Sequence, residues 1–197
     1  MVNTQAINLL QNLFANPEEV FSDNHISRAL QNNVNRYLHL KGMLFRENVA
    51  INAEFQRNYS YFYGLNRYMT QIQKQAYFAK FEAIKRQKGP IDVRLLTEEM
   101  QPLLGKFHFS FCSKMANMID DTQHPIYDKN VANVFHRRGL GQGHEYKENI
   151  YQDLVDTYRT LKDHHIIESF KERFNAQDMG YMKVLDALFW VIGNENE

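Results

Sequence analysis

Lys114 and Asp128 stand 14 residues apart in the run 107–135, F-H-F-S-F-C-S-K-M-A-N-M-I-D-D-T-Q-H-P-I-Y-D-K-N-V-A-N-V-F, and side chains of these two types can together hold and deliver a nucleophile. A helix turns about 100° per residue, so Phe111, Met115 and Met118 share a face and Lys114 lies about 60° from Phe111. An amine at the edge of an apolar stripe loses hydration, and a desolvated amine is easier to present in its neutral, nucleophilic form. A nearby carboxylate can hold that amine or stabilise positive charge developing on a sugar. Cleavage of an N-glycosidic bond demands this, because the carbon left behind becomes oxocarbenium-like. The same residues have a plainer account, in which Lys114 reaches from the stripe's edge to water and Asp128 only caps a helix.

These roles need two short helices and a turn between them. The sequence places the lysine and the aspartate at helix ends, with His124-Pro125 breaking the chain between them. Ile126 and Tyr127 are suited to burial, and Asp128 precedes Val131, Val134 and Phe135 as an N-cap precedes an apolar stripe. Packed as a hairpin, the two helices would bring amine and carboxylate together.

The remainder of the chain also reads as helix, with only 4 prolines and 9 glycines in 197 residues to interrupt it. A first helix is expected over residues 4–15, with Leu9, Leu10, Leu13 and Phe14 inward and Asn16-Pro17 ending it. A second starts near Asn24 and carries Ile26, Leu30, Val34, Tyr37 and Leu38 inward until Gly42 closes it. Residues 43–65 mix two periods and are read as a short irregular piece followed by a helix capped by Gly64. Further helices are expected over 70–87, 92–104, 145–161, 165–174 and 179–192, the last strongly apolar through Val184, Leu185, Leu188, Phe189 and Trp190. The expected fold is all-α, one compact domain over residues 1–197.

Composition narrows the class. Hydrophobic residues at 44% and charged residues at 23% are ordinary globular proportions, which argues against a disordered or fibrous chain. A lone cysteine, Cys112, rules out an internal disulfide framework and a cysteine-based zinc site, and suits a reducing compartment. No apolar run of about 18 residues occurs, and the first residues lack a basic segment followed by an apolar one. The expectation is a cytoplasmic protein with no membrane partner. The net charge of zero conceals a basic middle: residues 28–94 carry 12 Lys and Arg against 4 Asp and Glu. Such a surplus suits a phosphate-bearing partner, although solvated helix faces would give the same count.

The arrangement S-K-M-A-N-M-I followed by P-I-Y-D-K-N-V resembles the helix-hairpin-helix DNA glycosylase superfamily, notably its 8-oxoguanine DNA glycosylase group. It is closer still to a branch of uncharacterised bacterial proteins sharing F-x-F-x-S-K and P-I-Y-D. In that superfamily a lysine in a G-x-K-x-A setting starts a helix, and an aspartate in a P-[VI]-D-type turn opens the next. The resemblance covers about 30 residues. It implies that Lys114 is the Schiff-base lysine, with Ala116 two places on, and that Asp128 is its aspartate, with Val131 as an apolar partner. It implies a glycosylase-like core, DNA as the partner and base excision as the activity. The family hairpin L-P-G-V-G is replaced here by G-K-F-H-F-S-F-C-S, and the lysine-to-aspartate gap is shorter than is usual in the family.

Other candidates surround this pair. The aromatic series Phe55, Tyr59, Tyr61, Phe62, Tyr63 and Tyr68 is interleaved with Arg57 and Arg67, a combination able to stack bases and contact phosphates. Tyr61 and Tyr63 cannot both point inward with Phe62, so one of them should be exposed. The R-R-G-L-G-Q-G-H segment is no phosphate loop, because a helix precedes it and no G-K-[ST] follows; Arg137, Arg138 and His144 remain candidates to touch a phosphate. His108, Ser113 and His124 flank the lysine and the aspartate and complete the candidate nucleic-acid contacts. Eight histidines occur without an H-x-x-x-H or H-E-x-x-H spacing, so neither a metal nor another cofactor is expected. The leading expectation is DNA binding with N-glycosylase/lyase activity; the alternative is a noncatalytic helical binding or protein-interaction module on the same scaffold.

Overall fold

The computed structural model describes residues 3–13, 15–87, 89–134 and 144–195, and no strand forms among them. The helices are α1 (Thr4–Leu13), α2 (Pro17–Ser22), α3 (Asn24–Arg46), α4 (Ala53–Phe62), α5 (Gln71–Gln87), α6 (Val93–Leu104), α7 (Phe109–Ile119), α8 (Lys129–Val134), α9 (His144–Thr160), α10 (His165–Phe174) and α11 (Tyr181–Glu195). A 3-10 turn, Leu65–Arg67, joins α4 to α5. The all-α reading of the sequence is therefore what the chain adopts.

Local chemistry explains several boundaries. Asp23 accepts hydrogen bonds from the backbone N–H groups of His25 and Ile26, Asn52 from that of Phe55 and Asp92 from that of Leu95, so α3, α4 and α6 each begin on a side-chain cap. Gly105, at φ 71°, closes α6 in the left-handed conformation that glycine tolerates.

The break expected at Asn16-Pro17 occurs, and Pro17 then takes the first turn of the short helix α2, where its missing N–H costs nothing. Two expectations need correction. Gly42 does not end α3. The helix continues to Arg46, since Leu40, Met43 and Leu44 keep the buried stripe going past the glycine, and that burial outweighs glycine's poor helix propensity. Lys114 lies in the middle of α7 rather than at its end. Phe14, expected inward, lies outside the described residues.

One contiguous set of buried apolar residues runs from Ala6 to Val191. The long helix α3 packs on α4, α7, α10 and α11, while α11 also packs along α8 and α9. Aromatic rings lock α4, α5 and α7 together: Tyr59 stacks on Phe55 and meets Phe81 edge-on. The Tyr59 and Tyr77 hydroxyls are 2.9 Å apart, and that of Tyr77 donates to the carbonyl of Phe111 at 2.8 Å. A second tie is the buried carboxylate of Asp121, just after α7. It accepts from the Tyr37 hydroxyl at 2.9 Å and from the Gly180 N–H at 2.8 Å, and it pairs with Lys41. A Cβ at Gly180 would overlap the Asp121 backbone carbonyl, so only glycine allows α11 to start this close. These ties bring α3, α4, α7, α8 and α11 around one cavity.

Candidate functional site

The turn between α7 and α8 is built by hydrogen bonds from α7. The Ser113 hydroxyl donates to the Ser110 carbonyl at 2.9 Å and accepts from the Tyr127 N–H at 3.0 Å, and the Asn117 side-chain amide donates to the His124 carbonyl at 2.7 Å. Ile126 is buried beneath it. The turn delivers Asp128 to the first position before α8, where its Oδ1 accepts from the Asn130 N–H at 2.9 Å. Its Oδ2 is left facing α7, 3.3 Å from Lys114 Nζ. One carboxylate thus caps a helix with one oxygen and holds the lysine with the other.

The Lys114 ammonium also lies 5.3 Å from the Phe111 ring centroid and 5.8 Å from that of Tyr63, distances at which ring quadrupoles attract a cation. The pair opens into a cavity of about 550 Å³. That size suits one small organic group. Around it stand Ser60, Tyr61, Phe62 and Tyr63 from the end of α4, Asn66, Arg67 and Tyr68 from the turn, and Asn33 of α3. Gly64, at φ 72°, makes the sharp reversal that places the turn there. Tyr61 and Tyr68 are largely exposed at the rim and Trp190 is partly exposed, whereas Tyr63 is buried, which resolves which of the two tyrosines faces out. The Tyr63 hydroxyl and the Asn33 Oδ1 are buried without a hydrogen-bond partner among the described residues.

A second lysine–carboxylate pair lines the same cavity: Lys183 Nζ donates to Asp186 Oδ2 at 2.6 Å, both on α11. Burial pushes the Asp186 carboxyl above the ordinary carboxylate range and Asp128 adds to the rise, while Lys183 and Lys114 oppose it. Sequence reading treated α11 as plain core and missed Lys183, Asp186 and Trp190. Its signal was a Lys and an Asp three residues apart inside the otherwise apolar K-V-L-D-A-L-F-W, since charges enter such a stripe only when paired.

The other candidates are dispersed. Arg67 lines the cavity; Arg57 does not, but lines a neighbouring groove. Ser113 is fully buried with its hydroxyl engaged on both sides, which makes it a support of the turn rather than a contact surface. His108 and His124 lie outside the cavity lining. His108 packs on the Phe111 ring, and the Nδ1 of His124 is 3.4 Å from the Tyr151 hydroxyl. Burial lowers the pKa of both; Lys106 and Lys147 add to the effect at His108, whereas at His124 Asp120 opposes it and Arg159 adds to it. Arg137 and Arg138 lie outside the described residues. Cys112 is fully buried, and burial pushes its thiol up to about 11, far from the reactive thiolate range. Among the described residues no three His, Cys, Asp or Glu side chains converge as metal ligands, and no helix is long and apolar enough to cross a membrane. Comparisons with protein-family models, with curated proteins and with solved structures find no match.

Proposed function

We propose that this chain binds DNA and excises a base, with Lys114 as the nucleophile and Asp128 as its partner. The observation that carries the reading is the Lys114 Nζ–Asp128 Oδ2 contact of 3.3 Å at an open cavity rimmed by Tyr61, Tyr68 and Trp190. Enzymes acting on a base take it out of the stack into a pocket that offers aromatic faces and hydrogen bonds to its edge. Here the rings at the rim supply faces, and Asn66 and Arg67 in the cavity lining supply polar groups.

The chemistry balances with the groups present. An ammonium must lose a proton before it attacks, and Asp128 Oδ2 is the carboxylate within reach to accept it. As Nζ bonds to the sugar C1′, the bond from C1′ to the base nitrogen breaks and the base leaves with a proton. The departing base takes the proton that Asp128 accepted, which restores the carboxylate, and the second amine proton passes to O4′ as the C1′–O4′ bond breaks, leaving a protonated imine. Asp128 stabilises the positive charge that passes through C1′.

A second reading is a noncatalytic helical binding module. It is favoured by the completeness of the resting contacts, since ion pair, rings and helix cap already account for both residues. Borohydride trapping on duplexes carrying 8-oxoguanine or an abasic site separates the two. The excision reading expects a covalent adduct with the wild type that Lys114→Gln abolishes. Binding without any adduct on either duplex would leave the module.

A further inference from the structure

Arg36 and His39 of α3 and Arg57 of α4 line a second groove of about 440 Å³, on the other side of a wall made by Tyr61 and Phe62. Both wall residues also line the Lys114 cavity, so the two depressions share one partition. No acidic side chain among the described residues lines the groove. Elsewhere in the basic stretch 28–94 five cations are engaged by carboxylates. Lys41 pairs with Asp121, Lys80 with Glu99, Lys85 and Arg86 with Glu82, and Arg94 with Glu98 and Glu148. Among the described residues, Arg36 and Arg57 have no carboxylate within ion-pair distance. The Arg36 guanidinium lies 5.3 Å from the centroid of the exposed Tyr61 ring, which orients it while leaving its N–H groups unused. Across the wall, Arg67 gives the Lys114 cavity a cation of its own.

We infer that this groove holds the phosphodiester backbone of the strand whose nucleotide enters the Lys114 cavity. The inference rests on the DNA reading above and adds where the backbone runs. Unpaired guanidiniums are suited to phosphate oxygens, which accept two N–H bonds in parallel. A ring shared by both depressions lets the strand cross Tyr61 while a flanking phosphate stays with Arg36 and Arg57. A groove for a small free anion would have no need to adjoin a second, aromatic-rimmed cavity.

The test is fluorescence anisotropy with a labelled duplex carrying a tetrahydrofuran abasic analogue, titrated from low to moderate salt. The proteins are wild type, Arg36→Gln/Arg57→Gln, and Lys162→Gln/Arg173→Gln as a charge-matched control. Each phosphate contact releases about one counterion, so at about 0.1 M salt each arginine is worth about tenfold in affinity. The groove variant should bind about a hundredfold more weakly, and its slope of log affinity against log salt should flatten by about 2. The control should stay within about twofold of the wild type. Because both arginines are exposed and unpaired, thermal melting of the groove variant should match the wild type.

Equal affinity and slope for groove variant and wild type would overturn the groove while leaving Lys114 trapping untouched. Arginine-dependent binding without borohydride adducts would keep the groove and sink excision. Tighter binding of an RNA of the same sequence, or competition by deoxynucleoside monophosphate as effective as by duplex, would overturn the assignment to a DNA backbone.

Discussion

Asp128 serves two structures at once, and its two oxygens can be separated by choice of substitution. Asp128→Asn keeps a side-chain oxygen to accept from the Asn130 N–H but removes the charge that faces Lys114; Asp128→Ala removes both. At 3.3 Å the Coulomb attraction is about 5 kcal/mol for an effective dielectric of about 20, before desolvation is subtracted. The side chains are 11% and 24% exposed, between the surface pairs worth at most about 1 kcal/mol and the buried pairs whose breaking costs about 3–5 kcal/mol. A net loss of about 1–2 kcal/mol for Asp128→Asn follows, or roughly 2–8 °C in melting temperature for a chain of this size. Asp128→Ala should cost about 1 kcal/mol more, the usual value of a lost cap. The assay is urea unfolding of both variants in the wild-type and Lys114→Met backgrounds. Asn at 128 should be nearly neutral once Lys114 is gone, giving a coupling energy of about 1–2 kcal/mol. A coupling indistinguishable from zero, or equal destabilisation by Asn and Ala, would refute the division of labour between the two oxygens.

Two further outcomes follow from the same ties. The Asp186 carboxyl titrates above its unfolded value of 3.8, so the folded state holds a proton that the unfolded state releases first. Its contribution is most favourable below that value and is lost as pH rises through the folded one. The stability difference between wild type and Asp186→Asn should therefore move against the wild type as pH rises above about 4; a pH-independent difference in urea midpoints would contradict the burial argument. Gly180→Ala should destabilise by about 3 kcal/mol, because the new methyl meets the Asp121 carbonyl and displaces the N–H that Asp121 accepts. A melting temperature unchanged from the wild type would show that α11 can shift at no cost.

Much of the local structure was legible in the residues. The helix starts expected near residues 24 and 92 fall at the caps Asp23 and Asp92, the stripes repeat at three and four, and Phe62 between Tyr61 and Tyr63 forces one tyrosine outward, which proves to be Tyr61. The Lys114–Asp128 approach was also within reach, because only a short turn separates α7 from α8 and Asp128 must sit at the start of its helix to cap it. Helix periodicity and capping act over a few residues, so sequence alone determines them.

What the sequence left undecided depends on which faces meet. Gly42 looked like a terminator until the burial of Met43 and Leu44 carried α3 past it. Trp190 counted only as part of an apolar stripe and Lys183 and Asp186 drew no notice in it, until α11 packed along α8 and placed all three in the cavity that Lys114 lines. Arg36 and Arg57 were two charges among twelve until tertiary contacts paired several of the others with carboxylates and left these two facing one groove. Periodicity gives each helix an inward face, but only the packing of distant segments decides what that face lines, since burial energy is non-directional and is shared by every helix that closes on the core.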